Sequence, residues 1–486
     1  MKYIFLVAFI LLGAVSLASH FASPEVRGTA PVLYWVTDNN PARAEQVRLF
    51  RQWLKEHHYP DVDLRLDTSN GDLSKKIIQG VSGVGGDIMD TGPTDMPYFV
   101  AVGIMADVTD AAKELGFDPS KTYPAIEPQI VQDGRQYRFP CNVFATMYWV
   151  NRATFEKYGQ PIPPKRWDFD TFERLGKAFV AAANPPGARQ TVFYTSGVDK
   201  NIMLRSLGLD TFNETLTRCT LDDPRYVQVL KRIHKWTYED HILPTSADVE
   251  SFATSAGYGG VTLQLFNSGN YGMFASGRYA LIQLRQFGKL KLAVVEPPND
   301  GFANTITGTR AASVYAGGKH KDLAELFLAF LASKEYNEQI VADADALPPN
   351  PKYTETEEFK HPKDYPNEWG CHEPFAEAAK TIAIADSTSP FVLPSVVQRL
   401  TKNFYDAYMV SGRLSAKESA EQASRQINTE IERSLQEDPS LRPRYEDACT
   451  TQKNIDEYRA AGKKVPLAWI KNPFYRAYYQ AQGWAE

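Results

Sequence analysis

The chain has 486 residues, 43% of them hydrophobic and 23% charged. That is a globular composition, too long for one ordinary core, so two or three folding units are expected. The formal net charge of −5 argues against a nucleic-acid partner, which would need a basic face to displace counterions from phosphate.

Lys2 precedes an apolar run from Ile4 to Leu17, and Ser16-Leu17-Ala18 fits the small-x-small pattern of signal cleavage. Residues 1–22 are expected to be a signal peptide, with the mature chain starting between Ala18 and Pro24. An uncleaved anchor is the alternative, although the run is short for a membrane span. The first cysteine is Cys141, so no lipid-bearing cysteine lies near the cleavage region. The expected compartment is the periplasm.

The mature chain opens with Pro31–Thr37, a continuous apolar run that predicts a buried parallel strand. A polar turn, Asp38-Asn39-Asn40, leads through an N-capping Asn40 and Pro41 into a helix with Val47, Phe50 and Leu54 on one face. Alternation at Val62, Leu64 and Leu66 predicts a second strand. A helix around Leu73 and Ile77 and a strand ending near Thr91 follow. Strands alternating with helices predict a parallel sheet with right-handed crossovers.

A second block starts at Phe139 with FPCNVFATMYWVN, read as one long apolar strand. A helix capped by Asp168 follows, with Phe169, Phe172, Leu175 and Phe179 aligned. KLKLAVVEPP reads as a strand. Residues 322–344 read as a single helix carrying Leu323, Phe327, Phe330 and Leu331. Ser415 and Glu418 form a capping box ahead of Ala420, Ala423, Ile427, Ile431 and Leu435. From about Pro439 the chain is polar and aromatic and reads as an appendage.

Catalytic and metal motifs are missing. There is no G-x-S-x-G elbow and no H-E-x-x-H helix. His57 and His58 are adjacent and would face different sides of a helix. Asp61, Asp63 and Asp67 lack the glycine and terminal glutamate of a calcium loop. The glycines at 80, 83, 85 and 86 follow a helix and precede a strand, the reverse of a phosphate-binding order. No cofactor is expected. Cys141, Cys219, Cys371 and Cys449 lack metal-ligand spacing. Export permits one disulfide between two of the last three, and Cys141 is expected to be a buried small residue.

Four stretches, in order, resemble the extracellular solute-binding protein family 1, the family of maltose-binding protein and many sugar receptors. They are VLYWVTDNN with its helix; GGDIMDTGPTDMPYFVAVGIMADVT; GRQYRFPCNVFATMYWVNRATFEKYGQPIPPKRWDFDTFERLGKAF; and NYGMFASGRYALI followed by KLKLAVVEPP, GTRAASVYAG and the segment to LPPNPKY. They span Val32 to about Leu435. The third, with Gly-x-x-Tyr-x-x-Pro, a strand ending in Asn and Trp-Asp-x-x-x-Phe, is the most specific.

The resemblance implies an α/β, two-lobed periplasmic-binding-protein fold, type II-like, with strands crossing between lobes and a ligand cleft. Lobe one is expected to take residues 29–142 plus 310–346, and lobe two 143–309 plus 347–437. Residues 438–486 would be a C-terminal extension, and crossings would fall near Asn142, Thr309 and Pro348. The implied function is the binding subunit of an ABC importer, a monomer that hands a small-molecule solute, expected to be a sugar, to membrane permease subunits.

In open α/β sheets ligands sit beyond the carboxyl ends of the strands. Asp38, Asn39, Thr94, Asp95 and Asn142 lie at such ends, and their short polar groups suit vicinal hydroxyls. Phe144 and Tyr279 suit the CH faces of a sugar. In the family, an aromatic two residues after the glycine of Met-x-x-x-Gly-x-aromatic often stacks on sugar. Here Met273 and Gly277 lead to Tyr279, where Trp is commoner. The resemblance adds Gly308, Thr309 and Arg310 at a crossing and Asp199 in a cleft-facing loop. The competing reading is an exported carbohydrate-active enzyme, a lyase or hydrolase. Within the binding class, a non-sugar solute such as a polyamine or phosphorylated polyol stands beside a sugar.

Overall fold

The computed structural model describes residues 30–187, 189–252 and 260–486. The expected signal peptide, residues 1–22, lies outside the described residues. Three parallel strands come first: β1 (Val32–Val36), β2 (Asp63–Asp67) and β3 (Ile88–Thr91). The helices Ala42–Glu56 and Leu73–Val81 connect them. Asn40 Oδ1 accepts from the Ala42 amide at 3.0 Å, so the expected capping group closes the first helix. β1 is not buried on both faces as expected. Leu33 and Trp35 are fully buried while Val32 and Tyr34 are exposed, an alternation that marks a partly open face.

A short hairpin, β4 (Val131–Gln132) and β5 (Arg135–Gln136), precedes β6 (Arg138–Ala145). β7 (Met147–Asn151) follows after Thr146 alone. The expected single strand over Phe139–Asn151 is therefore two strands in different sheets. β6 pairs with a late strand in the first sheet. β7 joins β8 (Phe193–Thr195), β9 (Tyr271–Ser276) and β10 (Leu292–Val295) in a second sheet ordered β10-β7-β9-β8. β11 (Thr305–Val314) returns antiparallel to both β3 and β6, and β12 (Ala383–Ala385) lies parallel to its start. The first sheet thus runs β12-β11-β3-β1-β2, with β6 on the other edge of β11.

Each sheet anchors its own core. Trp35, Phe50, Phe117, Phe139, Phe327 and Phe330 pack around the first. Tyr148, Phe172, Tyr194, Trp236, Ile427 and Ile431 pack on one side of the second, and Trp149, Phe274 and Phe375 on the other. The helix expected over 322–344 is two, Lys321–Ala332 and Lys334–Asp343. Ser333 is extended between them and its hydroxyl accepts from the Tyr336 amide, so a mid-run serine became a cap.

The molecule has two lobes joined by strands that cross between them. β6 and β11 form one ladder in which Asn142 faces Arg310, with a bulge between Arg310 and Ala311. Val143 and Leu347 exchange backbone hydrogen bonds of 2.9 and 2.7 Å beside it. The hinge therefore gathers three chain segments.

Two further expectations fail. All four cysteines are free thiols: Cys141, Cys219 and Cys371 are buried in three separate cores, too dispersed to pair. The C-terminal stretch is also no loose appendage. Helices Arg442–Ala460 and Pro473–Ala481 enclose a core of Ile455, Val465, Ile470, Phe474 and Tyr479, which closes on Ile384 of β12.

Candidate functional site

A cavity of about 740 Å³ lies between the lobes. Leu73, Ile77, Thr94, Asp95 and Tyr98 form one wall. Lys200, Asn201, Arg205 and Asp210 line the other, with the segment Asp386–Ser389 and the start of helix Pro394–Met409. Most of its polar groups are short hydroxyls, carboxylates and amides.

The lobe-one wall is the loop after β3, held from behind by buried Arg138. Its Nη1 donates to Thr91 Oγ1 and the Gly92 carbonyl, each at 2.7 Å, and its Nη2 to the Pro93 carbonyl at 3.2 Å. Asp95 Oδ2 accepts from the Gly92 amide at 2.7 Å, closing the turn that presents Thr94. Buried polar groups satisfied this way hold a loop in one shape.

The lobe-two wall hangs on Arg205, which is 1% exposed. Its Nε donates to Asp210 Oδ1 at 3.0 Å, and its Nη2 to the Ala385 carbonyl at 3.1 Å and Ser387 Oγ at 3.3 Å. It therefore clips the end of β12 to helix Lys200–Ser206. Burial pushes the Asp386 carboxyl up; Arg205 opposes this while Asp199 and Asp210 add to it. Burial pulls the Lys200 ammonium down against the attraction of Asp199 and Asp406. Both shifts come first from burial, which penalises the charged form of each group.

Beneath lies a network of charges. Arg43 grips Asp38 with two nitrogens at 2.8 and 3.0 Å and reaches Asp345 Oδ2 at 2.6 Å. Arg310 bonds Asp90 and stands 3.8 Å from both Asp38 and Asp345. Burial alone would raise Asp38, but Arg310 and Arg43 hold its carboxyl at about 2. Asn142 Nδ2 donates to Asp345 Oδ1 at 3.0 Å, tying the network to the hinge.

The expected site residues fall into five groups. Thr94 and Asp95 line the cavity. Asp38 and Arg310 are members of the charge network, and Asn39 is exposed beside it. Asn142 and Thr309 serve the hinge instead of an open surface: Thr309 is fully buried, its hydroxyl donating to the Asn142 carbonyl at 2.6 Å and its amide to Gln129 Oε1 at 3.1 Å. Asp199 caps helix Lys200–Ser206, accepting from the Asn201 and Ile202 amides at 2.7 and 3.1 Å, and it is its neighbours that reach the cavity.

Phe144 and Tyr279 do meet, edge to face with centroids 6.4 Å apart, and Tyr279 is 37% exposed. A Cβ on Gly277 would sit 2.4 Å from the Tyr279 ring, and one on Gly308 would sit 2.7 Å from the Phe144 ring and 2.8 Å from Pro93. Glycine at both places lets the rings fold against the backbone. Arg278, the residue before Tyr279, is buried and donates to the Val341 and Ala346 carbonyls at 2.9 Å, anchoring the turn to the third crossing segment.

Sequence reasoning missed most of the lobe-two wall: Lys200, Asn201, Arg205, Asp210 and the run Asp386–Ser389. The last was open to the same rule that found Thr94, because it follows a strand, but the three-residue β12 left too short an apolar signature.

Among the described residues no helix is long and apolar enough to cross a membrane, and no group of three or more His, Cys, Asp or Glu could hold a metal ion. An ABC substrate-binding protein of Listeria monocytogenes, solved in complex with cycloalternan, superposes with a TM-score of 0.69 at 19% identity, covering 82% of this chain and 98% of its own. UgpB of Mycobacterium tuberculosis, solved with glycerophosphocholine, gives 0.68 at 13% identity, with 84% and 100% covered. The GacH receptor of Streptomyces glaucescens gives 0.65 at 18%, with 83% and 99% covered. A relative from Mesorhizobium japonicum described as a "probable sugar-binding periplasmic protein" is 27% identical over 185 residues, 36% of this chain and 42% of the relative. The sequence model for bacterial extracellular solute-binding protein matches residues 41–338, more than half of the chain. With two lobes, crossing strands and a polar cavity between them, this chain belongs to the bacterial extracellular solute-binding protein family.

Proposed function

We propose that the chain is the periplasmic binding subunit of an ABC importer, a monomer that captures a sugar or oligosaccharide between its lobes and delivers it to permease subunits without altering it. The observation that carries this is the cavity of about 740 Å³ whose two walls come from different lobes. A ligand there touches both walls fully only when they approach. Closure is favoured by that difference in contact, since a ligand shifts an equilibrium only by its differential affinity.

The chemistry favours a neutral polyol. Thr94, Asn201, Ser387, Thr388 and Gln398 supply uncharged donors and acceptors, and the charged Lys200, Arg205, Asp210 and Asp386 beside them are of mixed sign. Tyr98 supplies an aromatic face in the cavity; the Phe144–Tyr279 pair lies outside its lining, beside the crossing strands β6 and β11, and offers a second face there. The sugar-binding and oligosaccharide-bound relatives point the same way. We place the lobe division at residues 29–142 plus 310–346 against 143–309 plus 347–437, consistent with crossings at Asn142, Arg310 and Leu347.

A thermal-shift panel of mono- and oligosaccharides, with a glycerophosphodiester and a polyamine as comparators, tests the reading. A ligand at 100 times its Kd stabilises the folded state by about 2.7 kcal/mol. A sugar should do so and be recovered chemically unchanged. Stabilisation by a comparator and by no sugar refutes the sugar; turnover refutes the receptor.

A further inference from the structure

The C-terminal extension does more than complete a core. A second cavity of about 540 Å³ adjoins the first, and the two share Thr94, Tyr98, Asp386, Thr388, Ser389 and Leu393 along their common border. Its lobe-one side is the stretch from Pro93 to Ala101 together with Pro128–Gln132; its far side is built by Arg444, Asp447, Thr451, Trp469 and Lys471 of the extension.

The extension is held firmly on lobe two. Asn472 accepts from Ser387 Oγ at 2.8 Å and donates to Asp210 Oδ2 at 3.0 Å and the Phe212 carbonyl at 2.9 Å. The Glu214 carbonyl accepts from the Lys471 and Asn472 amides at 2.8 and 2.9 Å, and its buried carboxylate accepts from Gln452, Arg459 and Tyr479. Asp210 and Ser387 are the residues that Arg205 fastens behind the first cavity. The second wall is therefore positioned by the same buried network as the first. Across the gap the extension approaches lobe one where Arg444 stands 3.9 Å from Asp133, at the tip of the β4–β5 hairpin.

The second cavity is more apolar than the first and carries exposed aromatic faces beside a few polar groups. Trp469 is partly exposed and braced edge-on by Tyr458 at 5.0 Å, and Tyr98 is 36% exposed on the lobe-one side. Arg444 and Lys471 are offset by Asp438 and Asp447, so no charge dominates a lining that is otherwise largely apolar, with Met96, Leu216, Phe391 and Leu393. Aromatic faces among mixed donors and acceptors fit a neutral carbohydrate. Each cavity alone falls within the range of about 300–1,000 Å³ that encloses a whole small ligand; joined end to end they accommodate a chain of rings. The neighbouring structures are almost wholly covered but account for only 82–84% of this chain, so it carries segments that they lack.

We infer that the C-terminal extension forms an additional subsite, with Trp469 as its stacking surface, that lengthens the cleft for a linear oligosaccharide. This rests on the sugar reading above. The experiment is calorimetry on the full chain with linear gluco-, xylo- and manno-oligosaccharides of one to six rings, repeated on Trp469→Ala, Trp469→Phe and Arg444→Ala.

In one of these series the unaltered chain should bind longer members more tightly, levelling off once both cavities are filled. Trp469→Ala should weaken the longest by about tenfold, the scale of a lost stacking contact, and leave the shortest unchanged. Trp469→Phe keeps a ring and should recover most of the loss. Arg444→Ala, at an exposed side chain that leaves the fold intact, should weaken only the longer members. Equal effects on short and long members, or none in either extension variant, overturn the subsite and leave the sugar reading standing. Absence of binding in all three series overturns both.

Discussion

Replacing Arg310 by Met tests whether the hinge charges act as a unit. Arg310 bonds Asp90 and Thr37, and stands 3.8 Å from both Asp38 and Asp345. Removing one partner of a buried ion pair costs about 3–5 kcal/mol, because the other charge stays buried without compensation. The structure places the cost at the lower end. Asp345 keeps Arg43 at 2.6 Å and Asn142 at 3.0 Å, so only Asp90 loses its bonded cation. Asp90 retains neutral donors, Trp35 Nε1 at 2.7 Å and Thr37 Oγ1 at 2.5 Å. The expected loss is therefore about 3 kcal/mol. Equilibrium urea unfolding followed by tryptophan fluorescence measures it. Adding Asp90→Asn should recover at least about 1.5 kcal/mol, since contacting residues couple. A loss below about 1 kcal/mol, or strict additivity in the double variant, would refute the network.

Asp38 gives a pH signature. Its carboxyl titrates at about 2 when folded against 3.8 ordinarily, so its contribution is complete above pH 4 and fades as pH falls toward 2. The shift is worth ~2.4 kcal/mol undiscounted, and screening at a carboxylate 39% exposed reduces it to about 1 kcal/mol. Asp38→Asn should cost that much at pH 7 and flatten the acid limb of the stability profile; an unchanged limb counts against the assignment. Gly308→Ala should push Phe144 and Pro93 apart and destabilise the protein by about 1–3 kcal/mol in thermal unfolding. A silent substitution would mean the ring is free to move. Tyr279→Ala should weaken sugar binding by about tenfold in calorimetry with the fold intact, and equal affinity would remove the ring from the site.

The sequence by itself determined the elements whose signals are local. The capping group of Asn40, the capping box of Ser415 and Glu418, and the aromatic stripe from Phe169 to Phe179 all appear where the residues place them. The two-lobed fold was legible too, because ordered stretches over most of the chain carry it. Breaks inside apolar runs were not legible. Thr146 sits inside an apolar run and Ser333 inside a stretch that reads as one helix, yet one marks passage between sheets and the other a new helix, because sheet pairing and packing decide where such stretches divide.

The site divided in the same way. Thr94 and Asp95 follow a strand with a clear apolar signature and do line the cavity. Asn142 and Thr309 also sit at chain crossings, but burial decides what a polar side chain does, and theirs are taken up by the hinge. Only the tertiary structure brought Arg205, Asp210, Asp386 and Ser387 to one wall, from segments some 180 residues apart. The same holds for the C-terminal extension, whose polar, aromatic composition reads as an appendage. Asp210 and Glu214 pair with it across more than two hundred residues and Ile384 packs with it across more than seventy, and no local pattern records contacts at such separations.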